Sequence, residues 1–333
     1  MTNVNNKLKS LILYKYLLQH TDEEHPVTTT AIIAMFEELG MSCTRKTVYS
    51  YIEALNEIGC DIMLATNGRK KGYFIATRKF ELPEVMLLID AVSSAGFITP
   101  KKTNSLVEKL KSLVSEEQAK SMVSQFYVDA GSVKCNNEEI YIIIDHLHDA
   151  ITRRKKVRFT YRRRSIDVYN KKKYTEKTFT VSPYALIWKE DHYYLVCNND
   201  KYDDLMNLRI DRMKGLSVLR EDYRHFSEVC SYKNKFDTRD YSSKMFNMFS
   251  GEDCEVRLKC SLKLQEEMMD RFGSSIPFKA VDSSHIETVV KASLSDGLVS
   301  WIMQYGSDVE VVAPKELADM IKDKAAAILN VYK

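Results

Sequence analysis

Between Ser182 and Met213, two short apolar runs lead into a pair of arginines, and few folds accommodate that combination. The runs are Ser182-Pro183-Tyr184-Ala185-Leu186-Ile187-Trp188 and His192-Tyr193-Tyr194-Leu195-Val196-Cys197, followed by Leu208-Arg209-Ile210-Asp211-Arg212-Met213. A guanidinium keeps its charge at any ordinary pH. Beside apolar strands it costs solvation unless an anion or an acceptor meets it. The segment therefore predicts a small β-domain carrying an arginine that reads a ligand.

The chain of 333 residues is long enough for two or three domains. No apolar run approaches the roughly 18 residues that span a bilayer, and no secretory pattern opens the chain, so a cytoplasmic protein without membrane contact is expected. The seven cysteines stand at 43, 60, 135, 197, 230, 254 and 260 with no Cys-x-x-Cys pair. That dispersal predicts reduced, buried thiols and no metal site. His146 and His148 are two apart and do not share a helical face, which argues against a metal there as well.

Charge is segregated. Residues 150–175 hold eleven Lys or Arg against one acid, Asp167, whereas residues 241–333 hold eleven basic and fourteen acidic side chains. A basic middle points to an anionic partner. The runs Arg162-Arg163-Arg164 and Lys171-Lys172-Lys173 read as a solvated hairpin tip or as an electrostatic funnel toward the pocket.

Residues 1–79 read as helix, helix, tight turn, helix, hairpin. Lys7 to His20 is densely apolar. Thr28 or Thr29 caps a second helix that stops at Gly40, and Thr44 caps a third, Arg45 to Ile58, that stops at Gly59. Val48, Ile52 and Leu55 share its inner face, while Lys46, Tyr49, Ser50 and Glu53 point away. A hairpin with the basic tip Asn67-Gly68-Arg69-Lys70-Lys71-Gly72 follows. That order predicts a winged helix-turn-helix. Thr44, Arg45, Lys46, Thr47, Tyr49 and Ser50 would face base edges in the major groove, with Arg69, Lys70 and Lys71 on phosphates. Thr44-Arg45-Lys46-Thr47-Val48, Ile52-Glu53-Ala54-Leu55 and Gly68-Arg69-Lys70-Lys71-Gly72-Tyr73 resemble the DeoR-type winged helix of bacterial repressors. The chain departs from that pattern at Tyr49-Ser50-Tyr51, where the family usually has two arginines and an aspartate. Ten basic residues against eight acidic ones over 1–79 imply weak non-specific DNA affinity and a need for dimerisation.

Residues 80–140 read as a helical connector, with helices from Pro83, over Leu106 to Val114, and from Glu139 to Thr152. Residues 141–225 form the middle domain. Strands are expected at Val157 to Tyr161, Lys177 to Val181, Leu186 to Trp188, Tyr193 to Cys197 and Asp204 to Ile210, which fits a small open barrel. Ile151-Thr152-Arg153-Arg154-Lys155-Lys156-Val157-Arg158-Phe159-Thr160-Tyr161, Ser182-Pro183-Tyr184-Ala185-Leu186, Tyr193-Tyr194-Leu195 and Leu208-Arg209-Ile210-Asp211-Arg212-Met213 resemble the WYL domain, with Tyr193 in place of the family's tryptophan. The resemblance implies an Sm-like or SH3-like small β-barrel that senses a nucleotide or oligonucleotide. The implied ligand residues are Tyr161, Ser182, Tyr184, His192, Tyr194, Arg209 and Arg212. Arginine forks suit phosphate and tyrosines suit base stacking. Tyr193 and Leu195 read as packing residues, and Asp211 is a potential ion-pair partner for Arg212.

Residues 226–333 alternate strand and helix in a ferredoxin-like α+β pattern, with Trp301 read as core. The arrangement resembles the extension that follows WYL domains, which implies dimer formation. The whole is thus a multidomain α+β chain. No catalytic constellation or cofactor motif is present in the sequence, so no enzyme and no cofactor are expected. The expected function is a bacterial transcription regulator. A homodimer would place two winged helices on a double-stranded DNA operator, and an anionic effector would shift the dimer's affinity. The alternatives are an accessory factor whose middle domain binds single-stranded DNA or RNA directly, and an enzyme acting on a nucleotide in the same pocket.

Overall fold

In a computed structural model, the chain is described over residues 2–67, 70–123, 134–166 and 172–332, with side chains over 8–65, 71–122, 134–163 and 175–332. Arg69, Lys171 and the side chains of Lys70, Arg164, Lys172 and Lys173 lie outside the described residues. Two compact units result, Met1–Asn136 and Asn137–Lys333. The structure is a mixed α/β, multidomain one with three sheets among the described residues.

The first unit starts with helices α1 (Thr2–His20), α2 (Thr29–Glu38) and α3 (Arg45–Glu57), followed by a hairpin of β1 (Ile62–Asn67) and β2 (Lys70–Ile75). The caps act where the sequence places them. Thr28 Oγ1 accepts from the Ala31 amide at 3.2 Å, and Thr44 Oγ1 from the Thr47 amide at 3.3 Å. Gly40 and Gly59 follow the second and third helices with φ of 69° and 86°, a region open to glycine at little cost. Leu13, Leu17, Ile32, Phe36, Val48, Ile52, Leu55, Ile62 and Ile75 close one core.

Three further helices complete this unit: α4 (Leu82–Ser94), α5 (Pro100–Lys111) and α6 (Glu116–Val123). The sequence reading expected the second of these to begin at Leu106, and it did not foresee α6. That short helix is set by Ser115, whose hydroxyl accepts from the Gln118 amide at 3.0 Å while Gln118 Oε1 accepts from the Ser115 amide at 3.2 Å.

Ser115 also donates to Asp22, ninety-three positions away, and both residues are buried. The other oxygen of Asp22 accepts from the His25 amide at 2.9 Å and lies 2.8 Å from His25 Nδ1. Burial raises the Asp22 carboxyl, but the bonds from Ser115 and His25 outweigh it and hold the group below the usual carboxylate value. A carboxyl depressed in the fold stabilises above its unfolded pKa of about 3.9, and the contribution disappears as pH falls through the lower folded value. Chemical denaturation of wild type and Asp22→Asn below about pH 4 checks this. Wild type should lose stability more steeply than the variant, and parallel curves would rule the contribution out.

The second unit begins with α7 (Ile140–Arg153) and continues into β3 (Lys155–Ile166), β4 (Lys172–Lys189), β5 (His192–Asn198), β6 (Met206–Arg209) and β7 (Met213–Asp222). These strands form one antiparallel sheet in the order β6-β5-β4-β3-β7. Two expectations need correction. The strands expected at Lys177 to Val181 and Leu186 to Trp188 are one continuous strand, because a register shift between Pro183 and Ala185 absorbs the proline. The edge strand β7 was not expected.

Strands β6 and β7 occupy opposite edges of the sheet, yet only the short 3-10 turn Ile210–Arg212 joins them. In a flat sheet those edges would lie about 19 Å apart, whereas a 3-10 segment of this length advances about 8 Å. The sheet therefore curls until its edges approach. Phe159, Leu195, Ile210 and Met213 are at most 1% exposed within it.

The chain then passes α8 (Thr238–Lys244) into a second sheet of β8 (Asp253–Ser261), β9 (Lys279–Ala280), β10 (His285–Ser293) and β11 (Val309–Ala313), ordered β11-β8-β10-β9 and antiparallel. Helices α9 (Gln265–Phe272), α10 (Asp296–Met303) and α11 (Lys315–Val331) contribute Met268, Leu298, Ile302 and Leu317 to its core. Trp301 packs against this core, its ring 5.0 Å from Phe246 and 5.4 Å from Phe272.

Candidate functional site

Each unit holds one set of the residues singled out in the sequence. In the first unit the set lies on α3. Val48, Ile52 and Leu55 turn one face of the helix into the core, which leaves Thr44, Arg45, Lys46, Tyr49 and Ser50 exposed and Thr47 half-buried on the other. Arg45 and Lys46 stand at the N-terminal end, where unpaired amides already favour anions. Toward the C-terminal end the exposed charged residues are Glu53 and Glu57, so the face is cationic at one end and anionic at the other. On the hairpin, Lys71 is exposed, and the Tyr73 ring lies 6.4 Å from that of Tyr49.

Sequence reasoning missed Lys9. This lysine is only 7% exposed, and its Nζ donates to the Ser42 carbonyl at 2.8 Å, tying α1 to the turn that launches α3. Its only sequence signal is a charge inside an otherwise apolar helix face.

In the second unit the seven predicted ligand residues fall into two groups. Tyr161, His192, Tyr194 and Arg209 come together. Tyr194 pairs with Arg209 across β5 and β6, and the His192 ring lies 6.2 Å from that of Tyr194. The Arg209 amide donates to the Tyr161 hydroxyl at 3.3 Å. Burial pushes the Tyr194 hydroxyl above its ordinary pKa.

Ser182 and Tyr184 serve a different residue. The Arg224 amide donates to Ser182 Oγ at 2.9 Å, and the Tyr184 hydroxyl donates to the Arg224 carbonyl at 2.7 Å. Together they clamp the backbone of the segment after β7. Arg224 in turn reaches Asp203 at 2.8 Å. Arg212 is exposed.

The decisive contact is the one Arg209 makes. Its Nε and Nη2 donate to the two Asp211 oxygens at 3.0 and 2.7 Å, the bidentate geometry that a guanidinium also makes with phosphate in general. Asp211 thus pairs with Arg209, where the sequence suggested Arg212. Side-chain exposure is 23% for Arg209 and 14% for Asp211, so the pair is shielded but reachable.

Lys189, beyond the sequence reading, pairs across the hairpin with His192 and donates to the Ser242 and Met245 carbonyls at 2.7 and 2.6 Å. Burial and the neighbouring Arg271 lower its ammonium to a pKa of about 8. Among the described residues, no three or more His, Cys, Asp or Glu gather as a metal site would require, and no helix is long and apolar enough to cross a membrane.

The curled antiparallel sheet, with Arg209 on its short edge strand, is followed by a second sheet with its helices. Family models match both parts: the WYL domain over residues 143–218 and the WCX domain over residues 252–329. The chain thus carries a WYL domain and a WCX domain, each over part of its length. A curated relative, the uncharacterized HTH-type transcriptional regulator YobV of Bacillus subtilis (strain 168), is 19% identical over 297 residues, covering 86% of this chain and 90% of the relative. A solved structure, the proteasome accessory factor B/C of Arthrobacter aurescens, is 15% identical with a TM-score of 0.29. This chain is covered to 99% and spans 49% of the length of that solved chain.

Proposed function

We propose that the chain is a DNA-binding transcription regulator whose WYL domain senses an anion. The observation that carries the reading is the exposed face of α3, where Thr44, Arg45, Lys46, Tyr49 and Ser50 are free to meet a duplex while the opposite face is buried. Residues 1–79 act as a winged helix-turn-helix, with α3 in the major groove and the wing on phosphates. Residues 80–140 connect it to the rest of the chain. Residues 141–225 form the Sm-like sensing barrel, and residues 226–333 the ferredoxin-like part that supports a homodimer. The name of the Bacillus relative, an HTH-type transcriptional regulator, agrees with this reading.

The Arg209–Asp211 pair suggests how sensing works. A nucleotide or oligonucleotide phosphate competes with the Asp211 carboxylate for the guanidinium, with Arg212, His192 and Tyr194 nearby to complete its contacts. The released carboxylate then moves the turn between β6 and β7. An effector of this kind shifts operator affinity only as far as it prefers one state of the dimer over the other.

Selection from a random duplex library with the full chain tests the DNA half. Enrichment of a sequence with two half-sites, lost on combining Arg45→Ala with Lys46→Ala, is expected. No enrichment over a scrambled pool would sink it.

A further inference from the structure

One side chain of helix α3 hydrogen-bonds to the first strand of the hairpin that follows it. Asn56, in the last turn of α3, donates from Nδ2 to the Ile62 carbonyl at 2.9 Å and accepts from the Ile62 amide on Oδ1 at 2.6 Å. Both polar groups of the first residue of β1 are thus held by one planar amide. Among the described residues, no other side chain bonds α3 to β1.

Strand β2 is fixed from elsewhere. Val27 and Tyr73 exchange both backbone bonds, at 2.9 and 2.7 Å. Gly72 lies so close to Pro26 and Val27 that a Cβ there would meet them at 3.0 Å. Ile62 and Ile75 pair across the hairpin base and are 5% and 3% exposed. Beyond that pair β1 has little to rest on, since Met63 and Leu64 are each 51% exposed. Packing therefore anchors the hairpin base, and Asn56 sets the direction in which β1 leaves the helix.

That direction has an electrostatic consequence. A groove of about 530 Å³ separates α3 from the hairpin, lined by Tyr49, Ile52, Glu53, Asn56, Glu57 and Tyr73. Its two carboxylates would attract the exposed Lys71 if the hairpin folded onto the helix. Once paired there, the lysine would no longer reach a phosphate.

We propose that Asn56 is a positioning residue for DNA binding, holding the wing open so that Lys71 and the N-terminal cations of α3 engage one duplex together. The proposal rests on the DNA-binding reading above. Asn56 itself contacts no DNA.

The test measures the affinity of the full chain for a fluorescein-labelled random-sequence duplex against salt. Loss of one phosphate contact lowers the slope of log affinity on log salt by about 1. Lys71→Ala should cause that loss, Asn56→Ala should cause a similar one, and adding Lys71→Ala to Asn56→Ala should change nothing more. A wild-type slope in Asn56→Ala, or additive losses in the double variant, would overturn the proposal. Amide exchange without DNA gives a second readout that checks folding at the same time. Asn56→Ala should speed exchange over residues 62–75 and leave 45–55 unchanged, and an unchanged hairpin would also overturn it. If the wild-type chain had no salt-dependent duplex affinity, the DNA-binding reading itself would fall, and the exchange result would still decide whether Asn56 positions the hairpin.

Discussion

Replacing Asp211 with alanine is expected to destabilise the WYL domain and, at the same time, to raise its affinity for anions. Removing one partner of a fully buried ion pair costs about 3–5 kcal/mol, because the other charge is left unmatched. With side-chain exposures of 23% and 14%, water compensates part of this, and about 1–3 kcal/mol is expected here. The opposite change in binding follows from the same contact. The carboxylate occupies both guanidinium donors that a phosphate would use, so its removal ends the competition. Denaturation midpoints together with titration of nucleotides and short oligonucleotides check both halves. Tighter binding in Asp211→Ala and weaker binding in Arg209→Ala support an anion at this site. Equal affinity in wild type and Arg209→Ala would remove the arginine from the ligand's contacts.

The larger loss of stability is expected from Phe159→Ala. Phe159 is 1% exposed on β3, between β4 and β7, with its ring stacked at 6.0 Å on Phe179. Truncating a buried phenylalanine costs about 3–5 kcal/mol, the spread reflecting how far the cavity collapses. The chain has two tryptophans, Trp188 and Trp301. A Trp301→Phe background therefore lets Trp188 fluorescence report on this sheet alone. A shift below about 1 kcal/mol would mean that the curled sheet is not closed around this ring.

The two units differ in how much their sequence reveals. In the first, local chemistry decides the elements: Thr28 and Thr44 at helix starts and Gly40 and Gly59 after helix ends. Each of these signals acts over a few residues. Helix α6 escaped because eight residues, five of them polar, carry little periodicity, and its start depends on a contact between Ser115 and Asp22 far away in the chain. In the second unit the strand β4 was split at Pro183, since a proline ordinarily interrupts a central strand. Only the partner strand's register shows that a shift accommodates it.

The candidate ligand residues follow the same division. Arg209 was legible as a charge among apolar residues, and its partner Asp211 lies two positions on. Ser182 and Tyr184 were read as ligand groups from the resemblance, and they clamp Arg224, some forty residues later. Nothing local to Ser182-Pro183-Tyr184 encodes that contact. Lys189 escaped for a related reason. It reads as a solvated hairpin end, and its burial depends on the carbonyls of Ser242 and Met245.

Capture of genomic DNA by the full chain tests the central claim most directly. The wild-type chain should retain specific fragments, the region upstream of its own gene among them. Combining Arg45→Ala with Lys46→Ala should abolish that retention, while Arg209→Ala should keep it and lose only its response to an anionic effector. Retention unaffected by the α3 variants but lost in Arg209→Ala would contradict the account, and would assign nucleic-acid contact to the WYL domain instead.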